Sequence, residues 1–250
     1  MSSFPPDIIN HTNDSPEMFE KVYLQVRKAE RRLYTDDEVK NLPDIITGHP
    51  HSAEWEQRKE SCERFIKYLD KKHRPLAIFE IGCGNGWFSA QLAKNTSWKV
   101  IGMDINKVEL DQAARVFEKK PNLEFISGDI RSCQLMHNIF DVIVFASSVQ
   151  YFSSIVEIMK DAFLFLKTGG EIHILDTPFY HSGEMDDARQ RTKAYYTSLG
   201  FPESASYYFH HNMKNLEDFN TEILYNPKSW INKLNKNKNP FYWVCVKKGD

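Results

Sequence analysis

The spacing of apolar residues changes near Pro75. Before it, apolar positions recur at steps of three or four. Met18, Val22, Val26, Ala29 and Leu33 form one such stripe, which predicts a helix starting near Ser15-Pro16, where the N–H that proline lacks costs nothing. Thr35-Asp-Asp-Glu38 has the form of a capping box opening a short second helix. From Ser52 to about Lys72, Cys62, Phe65, Ile66 and Leu69 share one face while Glu56, Arg58, Lys59, Glu63 and Lys67 cover the rest, which predicts an amphipathic helix in need of a partner. Residues 1–75 thus form an N-terminal helical extension, or cap, in this reading.

After Pro75 the pattern becomes strand, loop, helix, repeated. Short β-rich runs stand at Leu76 to Ile81, Trp98 to Met103, Leu123 to Ile126, Phe140 to Ala146 and Glu171 to Leu175. Helical patterns fill the gaps at about Trp87 to Lys94, Asn106 to Lys119 and Ser153 to Leu166. Asn106-Lys-Val-Glu109 supplies a second capping signal, and Gly169-Gly170 is expected to end the third helix. Such alternation predicts an α/β domain over residues 76–250, with a doubly wound, mostly parallel sheet and right-handed crossovers. A polar, aromatic stretch at about 176–220 interrupts the alternation after the fifth strand and is expected to cover a site there. Two last strands are predicted at Thr221 to Tyr225 and Phe241 to Val246, with the Asn/Lys-rich run Asn232 to Asn239 between them as a solvated loop.

Composition narrows the partners. With 32 Lys and Arg against 34 Asp and Glu the formal charge is −2, so no overall basic field gathers polyanions. The cysteines Cys62, Cys83, Cys133 and Cys245 stand singly, without metal-ligand spacing, so no metal site is predicted and reduced thiols are expected. No run reaches the roughly 18 apolar residues of a membrane span, and Met1 to Asn10 lacks a basic lead into an apolar stretch, so a cytoplasmic protein is expected.

The chemistry concentrates in Phe79-Glu80-Ile81-Gly82-Cys83-Gly84-Asn85-Gly86-Trp87-Phe88, an apolar strand running through three alternate glycines into a helix. Such turns let a backbone approach a ligand closely. The dinucleotide fingerprint fails at Trp87, and no Gly-Lys-Ser/Thr follows for a phosphate loop. Glu80, two residues before the first glycine, disfavours a pyrophosphate and favours a cationic group. Asp104 stands 22 residues after Gly82, where an acidic residue reaches ribose hydroxyls in nucleoside-binding sheets. Asp129, after Gly128, is a further carboxylate at a strand end, able to accept from an exocyclic amine. Ala146-Ser147-Ser148 puts small residues beside the same crevice.

These residues resemble the class I S-adenosylmethionine-dependent methyltransferases. Glu80-Ile-Gly82-Cys83-Gly84-Asn-Gly86 is similar to that family's first motif, Asp104 to its second, Ser127-Gly128-Asp129 to its third and Phe140 to Ala146 to its fourth, while Leu166 to Gly170 resembles the turn before its fifth strand. The resemblance implies a seven-stranded sheet and S-adenosylmethionine as cofactor. It implies that Glu80 and the glycine loop face the methionine moiety, that Asp104 binds ribose, that Ile105 packs on adenine and that Asp129 with Ile130 holds it. Ala146 completes the predicted cofactor set.

For a base assisting the acceptor, Asp176, Tyr180 and His181 are the first candidates, at the carboxyl end of the fifth strand; His173, His210 and His211 are weaker ones. Trp55, His49 and His51 could roof the cofactor, with helix packing the simpler reading. Arg27 to Arg32 reads most simply as a solvated face, although an anionic acceptor could use it. The expected acceptor is a small molecule, with no DNA, RNA or membrane partner; the oligomeric state stays open. An RNA or protein methyltransferase, and a non-catalytic nucleoside-binding module, are the alternatives, and the broken fingerprint disfavours an NAD-linked oxidoreductase.

Overall fold

Why the chain becomes a sheet with helices on both faces is visible in its strands. The computed structural model describes residues 16–46, 48–233 and 239–249. Strands β1 (Ala77–Ile81), β4 (Phe140–Ala146) and β5 (Leu166–Thr177) are buried almost throughout, as strands covered on both sides must be. With β2 (Lys99–Asp104) and β3 (Leu123–Ser127) they pair in parallel. The chain then forms a small pair, β6 (Phe179–Tyr180) with β7 (His211–Asn212), before β8 (Asn220–Tyr225) and β9 (Tyr242–Lys247). The main sheet has seven strands in the order β3-β2-β1-β4-β5-β9-β8, with β9 antiparallel to both neighbours. The predicted fold class is therefore what the chain adopts.

Strand alternation sends successive side chains to opposite cores. Phe79, Ile143 and Phe145 pack with Met159 and Phe165 of one layer, whereas Ile78, Val142 and Val144 pack with Phe65, Phe88 and Trp98 of the other. The same alternation sends Glu80 into the second layer, under helix packing rather than solvent.

The helices are α1 (Pro16–Ala29), α2 (Asp36–Asn41), α3 (Ser52–Asp70), α4 (Trp87–Leu92), α5 (Lys107–Phe117), α6 (Ile155–Phe165), α7 (Met185–Ser198) and α8 (Trp230–Lys233). The Thr35 capping box forms as predicted, and the Asn106 side chain accepts from Glu109 N. The glycine pair departs from expectation. Helix α6 ends at Phe165, and Gly169 and Gly170 already lie in β5, where the pairing with β4 slips and the chain bonds to Lys248. The slip is an irregularity of the ladder, of the kind that glycine accommodates. The insertion between β5 and β8 contains α7, which the aromatic pattern does not announce, and a 3-10 segment at Pro202–Tyr207. Most of the Asn/Lys-rich run lies outside the described residues. No helix among the described residues is long and apolar enough to cross a membrane.

A polar cluster fastens α3 to the sheet. Tyr68 donates to Glu171 at 3.1 Å and Lys72 pairs with it at 2.8 Å. Trp243 Nε1 donates to His173 Nδ1 at 3.1 Å, which leaves Nε2 carrying the proton that Glu171 accepts at 3.2 Å. Both ring nitrogens of His173 are thus engaged, the ring is fully buried, and burial holds it neutral. Cys245 Sγ completes a group of possible metal donors within 4.8 Å, but the acid is held by Lys72 and Tyr68 and burial pushes the thiol up to about 12, so the cluster reads as packing.

Burial alone would raise the Glu171 pKa, yet the bonds from His173 and Lys72 bring it from 4.5 down to about 2. Its contribution to stability is complete above about pH 4.5 and is lost as pH falls toward 2. Urea titrations should show Glu171→Gln about 1–2 kcal/mol less stable than wild type at pH 7, with the gap closing toward pH 2; an equal gap at both ends would contradict this role.

Candidate active site

The strand order reverses between β1 and β4, and in an open α/β sheet the crevice at that point is where ligands bind. There the described residues enclose a cleft of about 820 Å³, within the range of cofactor sites. Its floor is the loop after β1. Gly82 N and Cys83 N donate to Met103 O at 2.8 and 3.0 Å, and Gly84 N donates to Asp104 Oδ2 at 2.7 Å, so the loop is laced to the end of β2. Gly82 has φ +76°, and a Cβ there would stand 2.5 Å from Ser148 Cβ. Gly86, also left-handed at φ +73°, abuts Phe125 and Ala113 rather than the cleft.

The sequence-predicted cofactor residues come together with that one exception. Glu80, Gly82, Cys83, Gly84, Asp104, Ile105, Asp129, Ile130 and Ala146 all line the cleft. Asp104 accepts from Gly84 N and from Asn106 N at 2.8 Å, which uses about two of a carboxylate's roughly four acceptor positions and leaves the others for a diol. Burial raises its pKa, against those backbone bonds. Ile105 beside it is 38% exposed, an aliphatic wall suited to a flat apolar ring. Asp129 accepts from Arg131 N and Nε, both at 2.9 Å; burial opposes its charge, but those bonds carry its pKa below the usual carboxylate value. Glu80 is 2% exposed and accepts from Ser89 Oγ of α4; burial pushes its pKa up to about 8. At neutral pH the acid thus holds its proton, a correction to reading it as a standing negative charge.

The predicted bases do not reach this cleft. Asp176 is buried with φ +52°, accepting from Ser61 Oγ at 2.7 Å and from Asn239 Nδ2 at 2.8 Å, so it fixes α3 against the carboxyl end of β5. It lines an adjoining cavity of about 420 Å³ with Arg58, Ser147 and Gln150, of which Arg58 and Ser147 also line the cleft. Tyr180 packs on His210, with ring centroids 5.2 Å apart, and His181 is exposed with Nε2 3.3 Å from Lys228 Nζ. His210 meets Thr192 at 2.9 Å and buried His211 meets Val149 O at 3.0 Å, which ties the insertion down. These placements follow from β6, which carries the chain away from the strand ends immediately after Thr177.

The roof comes from residues that the strand-end rule does not select. Phe19, Tyr23 and Arg27 follow at steps of four on α1, and all three line the cleft. Their spacing was the available signal, but it runs beside the more apolar Val22 and Val26 stripe. Arg27 is no solvated residue: its Nε donates to Tyr23 OH at 2.8 Å. Trp55 is 4% exposed, donates to Tyr34 OH at 2.8 Å and stands edge-on to Trp87, so it both packs and roofs. Glu109, buried on α5, lies under Tyr23 and Arg27, and burial raises its pKa. Arg58 donates to Ser147 Oγ at 3.2 Å, and Ser147 holds φ +58° at the end of β4.

With this geometry in hand, comparisons with known proteins agree. The family model for the methyltransferase domain matches residues 78–170. A malonyl-[acyl-carrier protein] O-methyltransferase of Halalkalibacterium halodurans is 32% identical over 46% of this chain and 45% of its own. A demethylmenaquinone methyltransferase of Lactococcus lactis is 29% identical over 41% and 42%. The chain thus spans less than half the length of these relatives. Among solved structures, the plantazolicin methyltransferase BpumL, crystallised with a monoazolic desmethylPZN analogue and SAH, superposes with a TM-score of 0.56 at 16% identity, covering 94% of this chain and 98% of its own.

Residues 78–170 thus match a methyltransferase domain, and the seven-stranded sheet is the fold of class I methyltransferases, a family whose cofactor is S-adenosylmethionine. The donor set fits that group: a diol acceptor at Asp104, an apolar wall at Ile105 and bare backbone at Gly82 to Gly84.

Two measurements check the site. Calorimetry with S-adenosylhomocysteine should find Asp104→Ala weaker by about 1–3 kcal/mol, the worth of charge-assisted hydrogen bonds; unchanged affinity would remove Asp104 from the site. A cationic group entering beside Glu80 favours its ionised form, so S-adenosylmethionine affinity should fall as pH drops below about 8 and flatten above it. Glu80→Gln should abolish that slope, and a slope that persists would assign it to another group.

Proposed function

We propose that this protein is an enzyme that transfers a methyl group from S-adenosylmethionine to a small-molecule acceptor. The single observation that carries the reading is the roofed cleft, whose floor is the glycine loop and whose roof is built from α1, α3 and the 3-10 segment at Pro202–Tyr207. When bound, the cofactor supplies a methyl carbon activated on a sulfonium sulfur. The protein's task is then alignment and exclusion of water, which a roofed cleft serves.

In this reading Asp104 and Ile105 hold the nucleoside, and the loop backbone with Ser148 behind it sets the floor. Tyr23 and Tyr151 keep their phenol protons, because burial raises both pKa values, and they act as hydrogen-bond donors rather than bases. In the same reading residues 1–75 form a cap and residues 76–250 the catalytic domain, with 176–220 as a substrate-covering insertion; the reach of its 3-10 segment to the cleft supports that role. The names of the relatives, which include quinone and sterol methyltransferases, support an acceptor of low molecular weight.

Incubation with methyl-labelled S-adenosylmethionine and separate cell fractions tests the reading. Label should enter the small-molecule fraction and not RNA or protein. Label confined to RNA or protein would overturn the acceptor class, and a cofactor that binds without ever turning over would favour a nucleoside-binding module.

A further inference from the structure

A second chamber, of about 410 Å³, opens from the cleft between α1, α3, α7 and the 3-10 segment at Pro202–Tyr207. It shares Phe19, Tyr23, Arg27, Arg58, Ser147 and Tyr151 with the cleft. Its walls carry two chemistries. The first is aromatic: Phe19 stands edge-on to Tyr151 at 6.1 Å and to Tyr207 at 5.3 Å, and Tyr151 stands edge-on to Tyr208 at 6.1 Å. The second is cationic. Arg27, Arg32, Arg58 and Arg191 line the chamber against two carboxylates, Glu30 and Glu54.

Both carboxylates are already taken. Glu54 pairs with Arg32 at 2.5 Å and with Arg58 at 2.9 Å, and those bonds, against the cost of burial, hold its pKa near 2. Glu30 pairs with Arg32 at 3.2 Å and accepts from Tyr195 OH. Among the described residues neither Arg27 nor Arg191 has a carboxylate at ion-pair distance, although buried Glu109 lies near Arg27 from the cleft side. Among the described residues the hydrogen bond of this half-buried guanidinium goes to a phenol, so it has donors left over, and an anion is what satisfies them.

We infer that the chamber seats the methyl acceptor, and that the acceptor is a small amphiphilic anion, with an apolar or aromatic body against the tyrosines and a carboxylate or phosphate on Arg27. This rests on the methyltransferase reading and deepens it. Arg27 is a binding residue here; Tyr23, hydrogen-bonded to its Nε, positions it, and Arg191 stands exposed at the mouth to draw the anion in.

Protein saturated with S-adenosylhomocysteine is titrated calorimetrically with 3-phenylpropionate, phenyl phosphate and neutral 3-phenylpropanol. At least one anion should bind tenfold or more tightly than the alcohol, and whichever does so identifies the anionic group. Arg27→Met should lose that preference while S-adenosylhomocysteine affinity stays within about twofold, and Arg27→Lys should recover part of it. Anions no tighter than the alcohol would overturn the proposal, and the wild-type comparison decides this even if Arg27→Met does not fold. A variant that loses S-adenosylhomocysteine affinity instead would assign Arg27 to the cofactor's own carboxylate and also overturn it. Wild-type protein that binds no S-adenosylhomocysteine would defeat the underlying methyltransferase reading, which the first titration reports separately.

Discussion

One carboxylate at the end of β2 organises the cofactor half of the molecule. Asp104 accepts from Gly84 N on one oxygen and from Asn106 N on the other, so it ties the glycine loop to the start of α5 while keeping acceptor positions toward the cleft. The loop can lie this low only because Gly82 has no side chain to strike Ser148 at the end of β4. Backbone atoms of two adjacent strands thereby become the floor of a ligand site. The buried acid beneath them, Glu80, is held by Ser89 and kept neutral at rest by its burial.

Charge is segregated between floor and roof. The floor carries Asp104 and Asp129, with Glu80 able to ionise when a cation enters, and the roof carries Arg27 among aromatic rings, beside Arg32 and Arg58, which Glu54 pairs. A cationic donor below and an anionic acceptor above would each meet the sign that suits it, with the reacting atoms at the boundary near Ser147 and Tyr151. The left-handed backbone at Ser147 is the kind of local strain that surrounding structure must hold in place, and here the bond from Ser147 N to Leu175 O does so.

Much of this was legible in the residue order, for identifiable reasons. The five parallel strands announce themselves as short apolar runs because both of their faces are buried, and the caps at Thr35 and Asn106 act within a few residues. The cofactor residues follow from strand ends and glycine spacing, both local. The roof and the chamber beside it were legible only in part, through the Arg27 to Arg32 cluster and the aromatic insertion, because the rest depends on packing between distant segments. Helix α7 buries only Ala188 and Tyr196, so its polar sequence carries no periodic stripe. The Phe19, Tyr23 and Arg27 row is meaningful only once α1 meets Tyr151 and Tyr207, more than a hundred residues away. Asp176 stands at a strand end, as such rules require, yet Ser61 and Asn239 claim it for structure.

The most direct measurement of the central claim is a crystal structure of the protein soaked with S-adenosylhomocysteine. The account predicts density in the switch-point cleft, with the ribose hydroxyls on Asp104, the adenine against Ile105 and the sulfur directed toward the chamber beside Ser147 and Tyr151. Density elsewhere, or a cleft left empty at saturating ligand, would contradict it.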